Sequence, residues 1–459
     1  MHLNSINLEV HLRYMKKILL IGAGRSTGTL VKYLTNNAEA NEWQLTIADR
    51  NFEFLDKKVT ELPFVTTEVF DVTNQDQRET LIEASNLVIS MLPAHMHISV
   101  AKDCIDYKKH MVTASYISKE MQELDRQAKE NGVIIINEIG VDPGIDHLSA
   151  KKVIDEIVSQ GGELTDFETF TGGLVAPESD NNPWNYKFTW NPRNVVLAGQ
   201  GGAVKFIQEG TYKYIQYQKM FRRTEIIDIE GFGKFEGVAN RDSLKYRQVY
   251  GLENISTMFR GTLRKPGYCR AWDAFVQLGA TDDSYTIPNS KDLTFRSFIN
   301  LFLPYNPNDS VELKFRHYLN IAHDDIQLFE KYKWLDLFED IPVELDNATP
   351  AEILQKILVR KWTLQEDDKD IIVMWHKFVY TNGGKKYEKH SSMVVIGEDQ
   401  THTAMAKTVG LPVGITAKKI LNGTIDEPGV HIPIKQSIYE PILKELEDYG
   451  ICFTEKDVT

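Results

Sequence analysis

Three glycines, Gly22, Gly24 and Gly28, follow at once on the apolar run Lys17–Ile21, and an acid, Asp49, closes a second apolar run, Trp43–Ala48. A strand, a glycine turn, a helix, a second strand and a terminal acid about 20 residues beyond the turn make up a dinucleotide-binding βαβ unit. The chemistry is anion binding by backbone. Glycine lets the chain approach a pyrophosphate, and a helix start supplies unpaired N–H groups and partial positive charge. Asp49 is placed to accept hydrogen bonds from the ribose hydroxyls. In the G-x-G-x-x-G pattern the third glycine position is Thr27, with Gly28 one residue late, so a slightly different seat of helix on strand is expected. The cofactor is therefore NAD or NADP. Asp49 repels a 2′-phosphate and slightly favours NAD, whereas Arg50 beside it can pair with that phosphate and admit NADP.

Other polar residues close apolar runs in the same way. Ser90 to Ala94 ends LVISML, Ser115-Tyr116 follows His110–Ala114, and Asn137-Glu138 follows Val133–Ile136. His95 and His97 are read chiefly as members of the next helix rather than as ligand contacts. The stretch GVDPGIDH, Gly140 to His147, is a Pro/Gly turn with two acids and a histidine; Asp146 as an N-cap and Pro143-Gly144 as a turn account for most of it. They do not explain why so polar a loop follows a buried strand. FTGGLVAPESDNNPWNYKFTWNPR, Phe170 to Arg193, reads as a long loop whose Trp and Tyr content argues against disorder and for function.

The runs SYIS (115–118), NEIGVDPGIDHL (137–148), GGLVAPES with NPWNYKFTWNPR (172–193), NRDS (240–243) and RGTLR (260–264) resemble those of the saccharopine reductases, the glutamate-forming saccharopine dehydrogenases. AMAKTVGLP (404–412) and GVHIPIKQSIYEPILKELEDYGI (429–451) are similar too, so the resemblance runs from about Lys16 to the C-terminus, weakest over about 270 to 350. It implies an enzyme of lysine metabolism that interconverts saccharopine with L-glutamate and L-2-aminoadipate 6-semialdehyde, using NAD or NADP, and that forms a homodimer. The nucleotide contacts it implies are Gly22, Gly24, Arg25, Ser26, Thr27, Ser90, Val141, Asp142, Pro143 and Asn191. The substrate contacts are Ser115, Tyr116, Arg241, Thr262, Leu263 and Arg264. Thr189 and Asn191 stand where relatives carry serine.

Elementary chemistry agrees. A substrate with three carboxylates needs cations placed locally in a chain of net charge −13, and Arg241 and Arg264 suit bidentate carboxylate recognition. Amine attack on an aldehyde, loss of water and hydride delivery to an imine require proton transfer and no metal. Asp142, Lys187, Tyr116 and His147 are the candidates, with Asp142 first because its turn follows directly on a strand, and Lys187 second because Tyr186 and Trp190 can desolvate it.

The elements that must position these groups read as α/β: a Rossmann doubly wound parallel sheet plus a mixed-sheet α/β substrate domain with an α-helical insertion. The nucleotide domain is expected over 15–146, completed by about 401–428, where Thr401–Val409 and Ala417–Asn422 read as two helices. The substrate and dimerisation domain is expected over 147–269, 363–400 and 429–459, with the insertion at 270–362. That insertion reads as five helices, the last opening TPAE with Thr349 as N-cap and Glu352 at N3, a capping box. Lys369–Tyr380 and Tyr387–Ile396 alternate like a hairpin around Asn382-Gly383-Gly384. Residues 1–14 read as an upstream extension, and Glu53–Leu62 as a helix.

With 459 residues, 42% of them hydrophobic and 25% charged, two or three domains with a sizeable core are expected. The acidic balance excludes a general nucleic-acid surface, and no apolar run reaches membrane-spanning length. Three scattered cysteines, Cys104, Cys269 and Cys452, fit a reducing compartment, the cytoplasm, and give no zinc pattern. Two rival readings stand beside the first: a related imine-forming reductase such as a carboxynorspermidine dehydrogenase, and a catalytically silent dinucleotide sensor.

Overall fold

The computed structural model describes residues 15–24, 27–52 and 55–458. They form two compact units, one of residues up to Gly161 together with Met393–Thr454, the other of Gly162–Ser392 with the residues from Glu455 on.

In the first unit, strands β1 (Lys16–Ile21), β2 (Trp43–Asp49), β3 (Val65–Val69), β4 (Leu87–Ser90), β5 (His110–Val112) and β6 (Ile134–Ile136) lie within two residues of the ends their apolar runs predict. With the short strand Gly429–His431 they form a seven-stranded sheet among the described residues, ordered Gly429–His431, β6, β5, β4, β1, β2, β3. Every pairing is parallel. Both faces are covered, so Ile18 to Ile21 in β1 and Leu87 to Ile89 in β4 are all buried. The order reverses between β1 and β4, and in such sheets the crevice outside the carboxyl ends at that point takes the ligand. The glycine turn and Ser90 stand there, with Ser115 and Asn137 along the same edge.

Five helices matter to this unit: α1 (Gly28–Asn41), α2 (His97–Asp106), α3 (Ile145–Ser159), α4 (Ala404–Leu421) and α5 (Gln436–Glu447). α4 is one continuous helix where the sequence predicts two. Pro412 in its interior costs about 3 kcal/mol, but Leu411, Val413 and Ile415 are buried, and each such side chain returns about 1.5–3 kcal/mol. The glycines that look like breaks are instead contact points against α1. A Cβ on Gly410 would lie 2.8 Å from the Leu30 nitrogen, and one on Gly414 would lie 2.5 Å from Tyr33 Cδ1.

Three expected boundaries move, one of them at 400, since the first unit takes up the chain again at Met393. The unit ends at Gly161 rather than 146, because α3 buries Leu148, Val153, Ile154 and Ile157, and its Asp155 accepts the hydroxyl of Tyr439 on α5 at 2.8 Å. Residues 429–454, expected in the substrate domain, belong here too, since Gly429–His431 pairs with β6. α3 starts at Ile145, with Gly144 rather than Asp146 as its N-cap; Asp146 reaches back and accepts the Gly144 N–H at 2.6 Å. Among the described residues of the expected helix Glu53–Leu62, Lys57–Thr60 forms, capped by Asp56; Glu53 and Phe54 lie outside the described residues, as do residues 1–14.

The second unit is built on β7 (Glu163–Val175), β8 (Val204–Gln208), β9 (Thr211–Ile215), β10 (Thr224–Ile229), β11 (Gly233–Ala239), β12 (Thr257–Arg264), β13 (Asp370–Asn382) and β14 (Lys385–Ile396). The main path runs β10, β11, β12, β7, β13, β14 and then Thr454–Asp457, with β8 and β9 branching from β12. β7 pairs parallel to β12 and antiparallel to β13, so the sheet is mixed. The turn between β13 and β14 places Gly383 and Gly384 at φ of +57° and +77°, as a two-residue hairpin requires. All five helices expected over 270–362 form, the middle three with shorter ends, and Pro350–Trp362 carries the Thr349/Glu352 capping box. Phe170–Arg193 is not a loop throughout: it starts as the end of β7, and Trp184, Tyr186 and Phe188 are core residues packed on Trp362 at ring separations of 5.2, 5.0 and 5.3 Å.

Candidate active site

At the nucleotide edge, glycine is required for two different reasons. Gly22 has φ +100°, and a Cβ there would meet the Met91 carbonyl oxygen at 2.9 Å, so the fold itself demands it. A Cβ on Gly24 would meet no atom of the described residues beyond its chain neighbours within 4 Å. Packing therefore leaves the space above Gly24 open, as close approach of a pyrophosphate needs. Thr27 Oγ1 donates to the Gly24 carbonyl at 2.6 Å, and the Thr27 N–H goes to the same oxygen at 3.0 Å. The residue in the third glycine position thus closes the turn rather than reaching outward. Arg25 and Ser26 lie outside the described residues.

Asp49 is engaged by the chain: Oδ2 accepts the Ala23 N–H at 2.5 Å and Oδ1 the Asn51 N–H at 3.2 Å. It holds the glycine turn to the end of β2. Arg50 is exposed and pairs with Asp71 at 2.9 Å; its hydrogen bond, with those from Thr73, holds the Asp71 carboxyl down at about 2.

Further along the edge, Ser90 is fully buried, and its Oγ lies 2.8 Å from His97 Nδ1, while His97 Nε2 lies 2.7 Å from Ser115 Oγ. A nucleotide-contacting and a substrate-contacting candidate are thus joined through a histidine that the sequence reading left in a helix. His97 does start α2, but Pro93 and the single turn Ala94–Met96 bring its ring back over the strand ends. Tyr116 donates to Asp142 Oδ1 at 3.3 Å, with both half-buried, so two proton-transfer candidates meet. Val141 and Pro143 flank Asp142 in the buried turn before α3, and the Asp142-Pro143 peptide is cis.

His147 is fully buried, its Nε2 2.8 Å from Glu138 Oε2, and the other Glu138 oxygen accepts the Ile117 N–H at 2.9 Å. With no exposure, His147 props the Tyr116 loop through Glu138. Glu138, at φ +56°, was legible only as the polar end of a strand.

In the second unit, Lys187 is likewise buried, donating to Asp368 Oδ2 at 2.6 Å, and the same oxygen accepts the Gln365 N–H at 2.6 Å. Lys187 and Asp368 thus form a buried ion pair. Asn191 is exposed and caps the short helix Pro192–Val196 by accepting the Arg193 N–H at 2.9 Å, while Thr189 Oγ1 is buried without a hydrogen-bond partner among the described residues. Arg241 is exposed at φ +52°. Thr262 and Leu263 sit within β12, paired to Val238 and Gly237 of β11.

Arg264 ends β12, and its guanidinium is buried over the rings of Tyr186 and Tyr268, 5.5 and 5.4 Å from their centroids. Nη1 donates to the Leu263 carbonyl at 2.9 Å, but Nε has no hydrogen-bond partner and no carboxylate pairs with the group among the described residues. Tyr268 was not singled out; its place four residues after Arg264, at the start of a helix, was the available signal.

Two family models match: the saccharopine dehydrogenase NADP-binding domain over residues 18–136 and the saccharopine dehydrogenase C-terminal domain over residues 140–451. The saccharopine dehydrogenase [NADP(+), L-glutamate-forming] of Saccharomyces cerevisiae is 31% identical over 450 residues, 96% of this chain and 99% of that protein. The mitochondrial alpha-aminoadipic semialdehyde synthase of Rattus norvegicus is 33% identical over 443 residues, 95% of this chain but 47% of the relative, so the chain spans about half the length of that protein. The solved apo saccharopine dehydrogenase (L-Glu forming) from Saccharomyces cerevisiae superposes with a TM-score of 0.87 at 30% identity, covering 97% of this chain and 100% of that one. With models and a relative matching nearly end to end, the chain belongs to the L-glutamate-forming saccharopine dehydrogenase family.

Proposed function

We propose that this chain interconverts saccharopine with L-glutamate and L-2-aminoadipate 6-semialdehyde, with NADP as the cofactor. Arg264 carries the reading. A buried guanidinium with no protein carboxylate against it is costly unless a ligand supplies the anion. In a chain of net charge −13 it calls for a carboxylate-bearing substrate.

The open space over Gly24 fits a dinucleotide, whose nicotinamide, when bound, supplies the hydride chemistry. Asp49 spends its oxygens on backbone N–H groups, which weakens the initial lean toward NAD, while the exposed Arg50 is available to a 2′-phosphate. Asp142 is the group that takes the proton from the substrate's secondary amine, and Tyr116 holds the accepting oxygen by its hydroxyl. Ser115 and Tyr116 are read as substrate contacts in the first unit, Arg241, Thr262, Leu263 and Arg264 in the second. Val141, Pro143 and Asn191 remain nucleotide contacts of the reading, and a homodimer its oligomer. Burial pushes the Cys104 and Cys269 thiols up, so they stay protonated and inert, in keeping with the cytoplasm. No helix among the described residues is long and apolar enough to cross a membrane.

A steady-state assay with saccharopine and NADP or NAD tests the proposal. Saccharopine-dependent reduction of NADP is expected, and Asp142→Asn should lower kcat by at least about 10²-fold while KM for NADP moves only a few-fold. Failure of the wild-type chain to reduce either nucleotide in the presence of saccharopine overturns the function; an unimpaired Asp142→Asn overturns the assignment of the base.

A further inference from the structure

β4 and β5 are adjacent parallel strands, with Ile89 opposite Val112, so Ser90 and Ser115 emerge side by side at the same edge. The His97 ring fills the gap between them, 4% exposed, touching Ser90 Oγ through Nδ1 at 2.8 Å and Ser115 Oγ through Nε2 at 2.7 Å. Thr113 Oγ1 stands 3.4 Å from the same Nε2, and it also accepts the Ser115 N–H at 3.3 Å.

A neutral imidazole has one N–H and one bare nitrogen. Burial, with the neighbouring His95, pulls the His97 pKa down to about 4, so the ring stays neutral near pH 7. One serine must then donate to the ring and the other must accept from it, and the tautomer decides which. If Nε2 carries the hydrogen, Ser115 accepts and its own hydroxyl hydrogen is left for a ligand acceptor. Ser90 then donates to Nδ1 and holds the ring in place. The opposite tautomer reverses both roles.

We propose that His97 is a positioning residue that, anchored on Ser90 and in its Nε2–H tautomer, aims the Ser115 hydroxyl hydrogen at a substrate carboxylate. The choice of tautomer rests on the function proposed above, in which Ser115 meets a substrate rich in carboxylate oxygens. His97 touches neither ligand; it acts through Ser115.

Amide variants separate the two ring nitrogens. The glutamine amide nitrogen overlays Nε2 and donates as that N–H does, whereas the asparagine amide oxygen, set at the place of Nδ1, accepts from Ser90 as that bare nitrogen does. His97→Gln should hold KM for saccharopine within a few-fold of wild type, whereas His97→Asn, which cannot reach Ser115, should raise it roughly 10-fold, the loss of one hydrogen bond to a charged group. Nucleotide affinity of His97→Asn should stay near wild type. Ser115→Ala should cost little more in the His97→Asn background, because the two changes remove one interaction. The proposal is overturned if both variants lose thermal stability while keeping KM, or if the His97→Asn and Ser115→Ala effects multiply. A long-range ¹H–¹⁵N spectrum of the histidine-labelled wild-type chain reads the tautomer without any variant: hydrogen on Nε2 supports the proposal, hydrogen on Nδ1 overturns it. A wild-type chain that does not turn over saccharopine overturns the function, and the spectrum still decides the tautomer.

Discussion

Asp49 and Arg50 show how much a single side chain can promise before its neighbours are known. An acid at the end of β2 stands where a ribose is expected, yet both its oxygens receive backbone N–H groups, from Ala23 and Asn51. The residue beside it, paired across an exposed 2.9 Å contact to Asp71, exchanges that partner for a phosphate at little cost. Arg50→Ala should therefore raise KM for NADP roughly 10-fold, the lower end for a charge-assisted contact, and leave KM for NAD unchanged. Equal effects on the two nucleotides would show that Arg50 does not meet the 2′-phosphate. The identity of these residues was legible from spacing, because a βαβ unit fixes where the turn and the acid fall. What they bond to was not: the Asp49 carboxylate is satisfied by a backbone group 26 positions away, which spacing does not reveal.

Secondary elements were legible wherever the local pattern and the tertiary demand agree. The β13–β14 hairpin follows from alternation around Gly383-Gly384, and Pro350–Trp362 from its capping box. α4 was not legible as one helix, because Gly410, Pro412 and Gly414 argue locally for a break, and only the surface of Leu30 and Tyr33 overrules them. Lys187 is a similar case. Its aromatic neighbours signalled burial correctly, but Asp368 lies 181 positions away, so the sequence offered a desolvated base where the fold makes an ion pair joining the Trp184–Phe188 segment to the approach of β13. Removing one member of a buried pair strands the other, at about 3–5 kcal/mol. Lys187→Met should accordingly lower the unfolding free energy measured in urea by an amount of that order and leave kcat of the folded enzyme largely intact. Adding Asp368→Leu should restore much of the loss. Should Lys187→Met instead keep its stability and lose kcat, the lysine is the proton-transfer group after all.

At the scale of the molecule, the first unit has a built-in response to acid. Three of its imidazoles are held neutral: His97 on α2, pulled to about 4 by burial and His95; His110 on β5, lowered by burial; and His431 on the edge strand, lowered by burial and then by Lys435. Each has a folded pKa below its unfolded value, so between the two values the unfolded chain binds more protons. Stability is therefore complete above about pH 6.5 and falls as the pH drops toward the folded values, the direction opposite to that of a histidine gaining an anionic partner. For His97 alone, from 6.5 to about 4, the full effect is about 3 kcal/mol, and roughly 2 kcal/mol of it is present at pH 5. Carboxylates contribute in a lower window. Glu445 is opposed by its burial but held below the usual range by Lys419, Tyr33 and Lys418, so its contribution is present above about pH 4.5 and lost beneath it. Urea unfolding at pH 7 and pH 5 separates the two classes, because at pH 5 the carboxylates are still ionised. The wild-type chain should lose stability over that interval, and His97→Gln, which has no proton to gain, should lose about 2 kcal/mol less. If the two lose the same amount, the His97 ring is already free to charge in the native state, and the hydrogen-bonded line from Ser90 to Ser115 is not closed to protons.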